Sequence, residues 1–132
     1  MKCLIAEDHL LSRRILKELL SPQFDCDIAV NGQEAIDSFV LAHESKRPYE
    51  VIFLDIMMPE VDGLDALQCI RALERNMEIP HTLAVKIVIT TALDDPQTVF
   101  KSFNKGEADA FIVKPLIRHK LIKELRDLKL VP

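Results

Sequence analysis

Val51-Ile52-Phe53-Leu54-Asp55-Ile56-Met57-Met58-Pro59 is the stretch on which the reading of this chain turns. Four apolar residues, β-branched and aromatic among them, run straight into one aspartate. A short continuous apolar run bounded by turn signals reads as a strand buried on both faces, as in a parallel sheet. Asp55 then stands where the strand ends, and Pro59 with Asp62-Gly63 marks the loop that follows. In open α/β sheets a carboxylate at that end of a strand lies in the ligand crevice.

Working outward, the same unit repeats. Residues 3–6 form a first strand that ends in Glu7-Asp8. Leu11, Ile15, Leu16, Leu19 and Leu20 then recur at helical spacing until Ser21-Pro22. A second, more polar strand spans 26–30. Asn31 with Glu34 opens a helix in the manner of a capping box, with Ala35, Ile36, Phe39 and Val40 on its apolar face. After the strand 51–55, Leu64, Leu67, Ile70 and Leu73 predict a helix over 63–75, and 76–83 reads as a loop. A fourth strand covers 85–90. Asp95-Pro96 is an N-cap with proline at the first helical position, Val99, Phe100 and Phe103 face inward, and Gly106 follows the helix end. A fifth strand covers 111–113, and Ile117, Leu121, Ile122, Leu125 and Leu128 define the last helix. Five strands alternating with five helices predict a parallel sheet covered on both faces, with right-handed crossovers. No linker, repeat or low-complexity tract divides the chain, so residues 1–132 are expected to form one domain.

Composition narrows the function classes. The chain has 132 residues, nearly half of them hydrophobic, a net charge of −4 and no basic run. That argues against non-specific binding to nucleic acid or to an anionic membrane surface. No apolar run approaches the ~20 residues of a membrane span, and the apolar start is too short for a signal peptide. Cys3, Cys26 and Cys69 are an odd count without a C-x-x-C spacing, which reads as free thiols in a reducing compartment. The expectation is a soluble cytoplasmic protein.

The strand ends carry the chemistry. Glu7 and Asp8 follow the first strand, Asp55 ends the third, Thr90-Thr91 follow the fourth, and Lys114 follows the fifth. In a parallel sheet these ends share one edge. Three carboxylates there repel, each pair by about 3 kcal/mol at ~5 Å and an effective dielectric of ~20. A hard divalent cation offsets that repulsion, and Mg²⁺ takes one or two carboxylates plus water and phosphate oxygens. A lysine and a threonine hydroxyl on the same edge can hold further phosphate oxygens. The set reads as a phosphoryl-transfer site with an aspartate nucleophile. Taken singly, each residue has a plainer explanation: an Asp after a strand caps a turn, a Lys-Pro is loop, and two adjacent acids are a solvated edge. Their joint occurrence at matching strand ends carries the functional reading.

The sequence resembles the receiver domain of two-component response regulators over about residues 2–128. The likeness rests on Ala6-Glu7-Asp8, Leu54-Asp55-Ile56-Met57-Met58-Pro59 with Asp62-Gly63, Thr91-Ala92, Gly106 with Ala108 and Ala110-Phe111, and Val113-Lys114-Pro115. It implies a flavodoxin-like, doubly wound sheet of order 2-1-3-4-5. It implies that Asp55 is the phosphoacceptor, and that Glu7, Asp8, Asp55 and the backbone carbonyl of Met57 hold Mg²⁺. Thr91 is implied as the switch hydroxyl, Lys114 as the partner of Asp55 and of the phosphoryl group, Phe111 as the switch aromatic, and the bond before Pro115 as cis. The donor would be a histidine kinase, a phosphotransfer protein or a small acyl phosphate. The face of the fourth helix, fifth strand and fifth helix would change shape for a downstream partner. The protein would be a signalling phosphoacceptor rather than an enzyme in the usual sense, standing alone without a DNA-binding output, and a monomer or a dimer formed on phosphorylation.

Some positions depart from the family pattern. The chain before the fourth strand is longer than usual. Met57 and Leu93 are apolar where many relatives are polar, which predicts a long-lived acyl phosphate. Leu10, Leu11, Arg14 and Leu116 lie where partners of the family often dock. Three other classes stay open at this point. A flavodoxin-like cofactor binder would need hydroxyls and glycines where Glu7-Asp8 stand. A haloacid-dehalogenase-type phosphohydrolase would need an acid where Met57 stands. A pseudo-receiver would lack one of the acids or the lysine. His9 abuts the acid pair but reads as loop, and His43, His81 and His119 read as surface residues.

Overall fold

In the computed structural model, which describes residues 1–92 and 107–132, strands and helices alternate along the chain. They are β1 (Lys2–Ala6), α1 (Leu10–Leu20), β2 (Asp25–Ala29), α2 (Gly32–Glu44), β3 (Val51–Asp55) and α3 (Gly63–Asn76). A 3-10 turn (His81–Leu83) follows, then β4 (Lys86–Thr91), β5 (Ala110–Val113) and α4 (Arg118–Asp127). The strands form one parallel sheet of order β2-β1-β3-β4-β5. This is the doubly wound arrangement expected from the sequence. The helix predicted from Asp95, with Val99, Phe100, Phe103 and Gly106, lies outside the described residues.

Strand alternation sorts the interior into two cores. Leu4, Ala6, Ile52, Leu54, Ile87 and Ile89 pack with α2 and α3 on one face. Cys3, Ile5, Val51, Phe53, Val88 and Ile112 pack with α1 and α4 on the other. All of β3 is buried, because it lies between β1 and β4 and under helices on both faces. The stripe on α1 is wider than its core contact. Leu16 and Leu20 are buried, whereas Leu11 and Ile15 are exposed.

Hydrogen bonds to neighbouring elements move several element ends from their predicted places. Val30 does not extend β2, because its N–H donates to the Glu34 side chain at 3.0 Å. Glu34 thus reaches one residue further than in a standard capping box, while Asn31 accepts from the Glu34 N–H at 2.8 Å. At its other end β2 begins early, because the Asp25 N–H donates to Met1 O at 2.7 Å. The fourth strand is Lys86–Thr91 rather than 85–90. Val85 is taken out of the ladder by α3: its N–H donates to Glu74 Oε2 at 2.8 Å and its carbonyl accepts from Arg71 at 2.8 Å. Thr91 joins the ladder opposite Val113, and the Lys114 N–H donates to its carbonyl at 2.7 Å.

Arg71 closes the amino edge of the sheet. Its guanidinium also donates to Glu74 Oε1 at 2.6 Å, to Glu107 O at 2.8 Å and to Asp109 Oδ2 at 2.9 Å. Asp109 in turn accepts from the Ile87 N–H at 2.8 Å. One buried clasp thereby ties α3 to the starts of β4 and β5. The sequence reading missed it, since Arg71 and Glu74 look like the polar face of an amphipathic helix. Among the described residues no helix is long and apolar enough to cross a membrane.

Candidate functional site

At the carboxyl edge, strand parity decides which groups meet. Glu7 continues the alternation of Cys3 and Ile5, Asp55 that of Val51 and Phe53, and Lys114 that of Ala110 and Ile112. All three therefore project on the α1/α4 side. Lys114 Nζ donates to Asp55 Oδ2 at 3.1 Å and makes a very short contact with Glu7 Oε1. Glu7 and Asp55 are buried, and Asp8 is exposed. Carboxylate oxygens of Glu7, Asp8 and Asp55 lie within 4.8 Å of one another.

Backbone groups fix the acids. The Met57 N–H donates to Asp55 Oδ1 at 3.1 Å, and the His9 N–H donates to Glu7 Oε2 at 3.2 Å. His9 is the N-cap of α1, so its proximity to the acids is a main-chain matter. Arg13, which lies between the apolar positions of α1, reaches back to the carbonyls of Glu7 and Asp8 at 3.3 Å each. A basic residue one turn into a helix that follows an acid pair was the available signal. The Met57 side chain is exposed.

The electrostatics are those of an acid cluster with one cation. Burial, and then the hydrogen bond with Asp55, push the Glu7 carboxyl up to about 7, although Lys114 and the His9 N–H pull the other way. Burial draws Lys114 down, but Glu7 and Asp55 outweigh it and leave it above its ordinary value. Burial is the main pressure on Glu7, and the Asp55 carboxylate adds to it. Oxygen donors at this spacing fit a hard divalent cation. Glu7, Asp8 and Asp55 are the side chains that would hold it.

Thr91 has the other parity. It falls with Ile89, in register with Val113, while Phe111 packs against the α2/α3 core and pairs with Ile89. Thr91 and Phe111 thus share the face opposite to Lys114. Thr90, the register partner of Asp55, accepts from the Ile56 N–H at 3.2 Å. The Lys114–Pro115 peptide is cis. Leu93 lies outside the described residues. The loop after Asp55 is pinned twice: the Gly63 N–H donates to Ile56 O and the Gly32 N–H to Val61 O, each at 2.9 Å. Beside the site, Leu11, Ser12, Ile15, Lys114, Pro115 and Leu116 line an apolar groove of about 350 Å³. A second groove, about 420 Å³, runs along Leu10, Leu11 and Arg14.

The parallel sheet and its acidic edge define a class of protein, and the comparisons agree with it. The chain belongs to the response regulator receiver domain family, whose model matches residues 3–126. It is 34% identical over 128 residues to hybrid signal transduction histidine kinase I of Dictyostelium discoideum, covering 94% of this chain and 7% of that protein. It is 30% identical to the sensory/regulatory protein RpfC of Xanthomonas campestris, covering 97% of this chain and 16% of that one. The chain therefore spans a small fraction of the length of these relatives. Among solved structures, it is similar to a chain of the CheX-CheY-BeF3-Mg+2 complex from Borrelia burgdorferi. The TM-score is 0.82 with 28% identity, over 100% of this chain and 90% of that one. It also matches the response regulator TrrA of Thermotoga maritima in complex with Mg(2+)-BeF, with a TM-score of 0.74, 26% identity and 96% and 97% coverage.

Proposed function

We propose that this receiver domain accepts a phosphoryl group on Asp55 in a Mg²⁺-dependent reaction and passes the change to a partner through the surface around Phe111. The convergence of Glu7, Asp8, Asp55 and Lys114 on one edge carries this reading. An Asp55 carboxylate oxygen attacks the phosphorus of a phosphohistidine or an acyl phosphate. The new O–P bond replaces the bond to the donor, whose imidazole or carboxylate departs. Glu7, Asp8, Asp55 and the Met57 carbonyl would hold Mg²⁺, which would supply charge neutralisation for the phosphoryl oxygens. Lys114 starts on the Asp55 carboxylate and follows the negative charge outward to those oxygens. The Thr91 hydroxyl donates to one of them. As Thr91 moves toward the edge, Phe111, on the same face of the sheet, takes up the space it leaves. β5 and α4 carry this local charge change to the partner.

A histidine kinase or a phosphotransfer protein is the natural donor, and the apolar grooves beside Lys114 and along α1 suit its docking. The chain acts as one cytoplasmic receiver domain that catalyses only the gain and loss of its own phosphoryl group. Intact mass after incubation with acetyl phosphate, with and without Mg²⁺, tests the proposal. One added phosphoryl group, absent without Mg²⁺ and absent in Asp55→Asn, is the expected result. Phosphorylation that survives Asp55→Asn would refute the assignment. Turnover of simple phosphate esters would move the protein to the phosphohydrolase class.

A further inference from the structure

Away from the acidic edge, the register of the first two strands places two thiols side by side. Cys3 on β1 and Cys26 on β2 are direct partners in the parallel ladder. Partners on adjacent strands point to the same face, about 4.8 Å apart in the hydrogen-bonding direction. Disulfide-bonded cysteines have Cα atoms roughly 4.4–6.8 Å apart. Both residues belong to the α1/α4 side, with Cys3 wholly buried in that core and Cys26 packed against it.

The two differ in access. β2 is an edge strand, and Cys26 lines an open groove of about 500 Å³ together with Lys17, Ser21 and Phe24. The Cys26 thiol lies 3.6 Å from Phe24 O. Cys3 sits behind it with no path of its own to solvent. Cys69, the remaining thiol, is exposed on α3, across the sheet.

We propose that Cys26 and Cys3 form a redox-active dithiol that a hydroperoxide converts to an intramolecular disulfide, with Cys26 as the attacking thiol and Cys3 as the resolving one. The hydrogen bond from Cys3 holds Cys26 below the ordinary thiol range against the effect of burial, and the Lys17 ammonium adds to it. Burial pushes Cys3 well up, so the outer thiol ionises first. The Cys26 thiolate attacks one oxygen of hydrogen peroxide, the O–O bond breaks, and a sulfenic acid and hydroxide result. Cys3 sulfur then attacks Cys26 sulfur. The S–S bond forms as the sulfenic hydroxyl leaves, and the two protons complete two waters. Two electrons pass from the thiol pair to one peroxide. The product ties edge strand β2 to β1, the strand that leads into Glu7. This inference is independent of phosphate chemistry.

The test is treatment of the native full chain with hydrogen peroxide, removal of the peroxide, unfolding in excess alkylating reagent, and peptide mapping. The expected result is loss of two hydrogens, a linked peptide pair carrying Cys3 and Cys26, and loss of alkylation at both. Cys69 stays alkylatable, and dithiothreitol reverses the change. Cys69→Ser should keep the link. Cys26→Ser, checked for folding by circular dichroism, should leave Cys3 as a thiol. The proposal is overturned if Cys26 proceeds to a sulfinic acid while Cys3 stays reduced. It is equally overturned if Cys69 is the only thiol oxidised, or if all thiols survive treatment.

Discussion

Glu7 carries the cost of being buried beside Asp55 at the acidic edge. Its carboxyl titrates near 7 in the folded chain, against 4.5 ordinarily. The folded state then holds this proton more tightly than the unfolded one. The stability it contributes is full below the ordinary glutamate value and drains away as pH rises to about 7. In chelator, urea unfolding at pH 5 and pH 8 should show wild type losing up to about 3 kcal/mol relative to Glu7→Gln across that window. The offset between the two chains depends on other contacts, so the slope is the test. Mg²⁺ added at pH 8 should stabilise wild type more than the variant. Met57, exposed two residues past Asp55, bears on a later step. On the proposed function, an apolar side chain there would hinder a water approaching an Asp55 acyl phosphate. Met57→Asn should shorten the lifetime of the phosphorylated form several-fold, read by intact mass after the donor is removed. An unchanged lifetime would relieve Met57 of that role.

At the scale of elements, the loop between β3 and α3 is held by two glycines because nothing larger fits. A Cβ on Gly63 would stand 2.1 Å from Asp55 O, and one on Gly32 would stand 2.1 Å from Val61 O. Both obstacles are backbone, so the chain itself must give. Gly63→Ala should cost about 2–3 kcal/mol in urea unfolding and, on the proposed function, slow phosphorylation, since it displaces the carbonyl of Asp55. The element order was legible in the sequence because periodicity is local: a buried run such as 51–54 or a stripe such as Leu64, Leu67, Ile70 and Leu73 needs no distant partner to be read. The meeting of Glu7, Asp55 and Lys114 was legible too, because residues at matching ends of parallel strands share one edge. The exact ends of β2 and β4 were not, because Glu34, Glu74 and Arg71 decide them from α2 and α3. Nor was the reach of Arg13 to the Glu7 and Asp8 carbonyls, or the exposure of Leu11 and Ile15, since helical spacing does not say how much of a stripe the core will use.

Across the whole molecule, the two edges of the sheet divide the tasks. The acids occupy the carboxyl edge, and the Arg71 clasp holds the amino edge together. Replacing Arg71 leaves the buried Glu74 without its cation, and breaking such a pair costs about 3–5 kcal/mol. Arg71→Leu should show that loss in urea unfolding. The fraction that stays folded should accept a phosphoryl group from acetyl phosphate as wild type does, because the clasp touches none of Glu7, Asp8 and Asp55. Finally, the ion pair of Glu7 with Lys114 joins residues 107 positions apart. A nascent chain that has emerged through β4 already owns every acid of the site but lacks its ammonium. Three carboxylates stand at one edge with no fixed cation, and the sheet end lacks its last strand. The counter-charge stands one residue past β5, so the site is complete only in a chain whose fifth strand has joined the sheet. A polypeptide cut before β5 would keep all three acids and have no Lys114 to set against them.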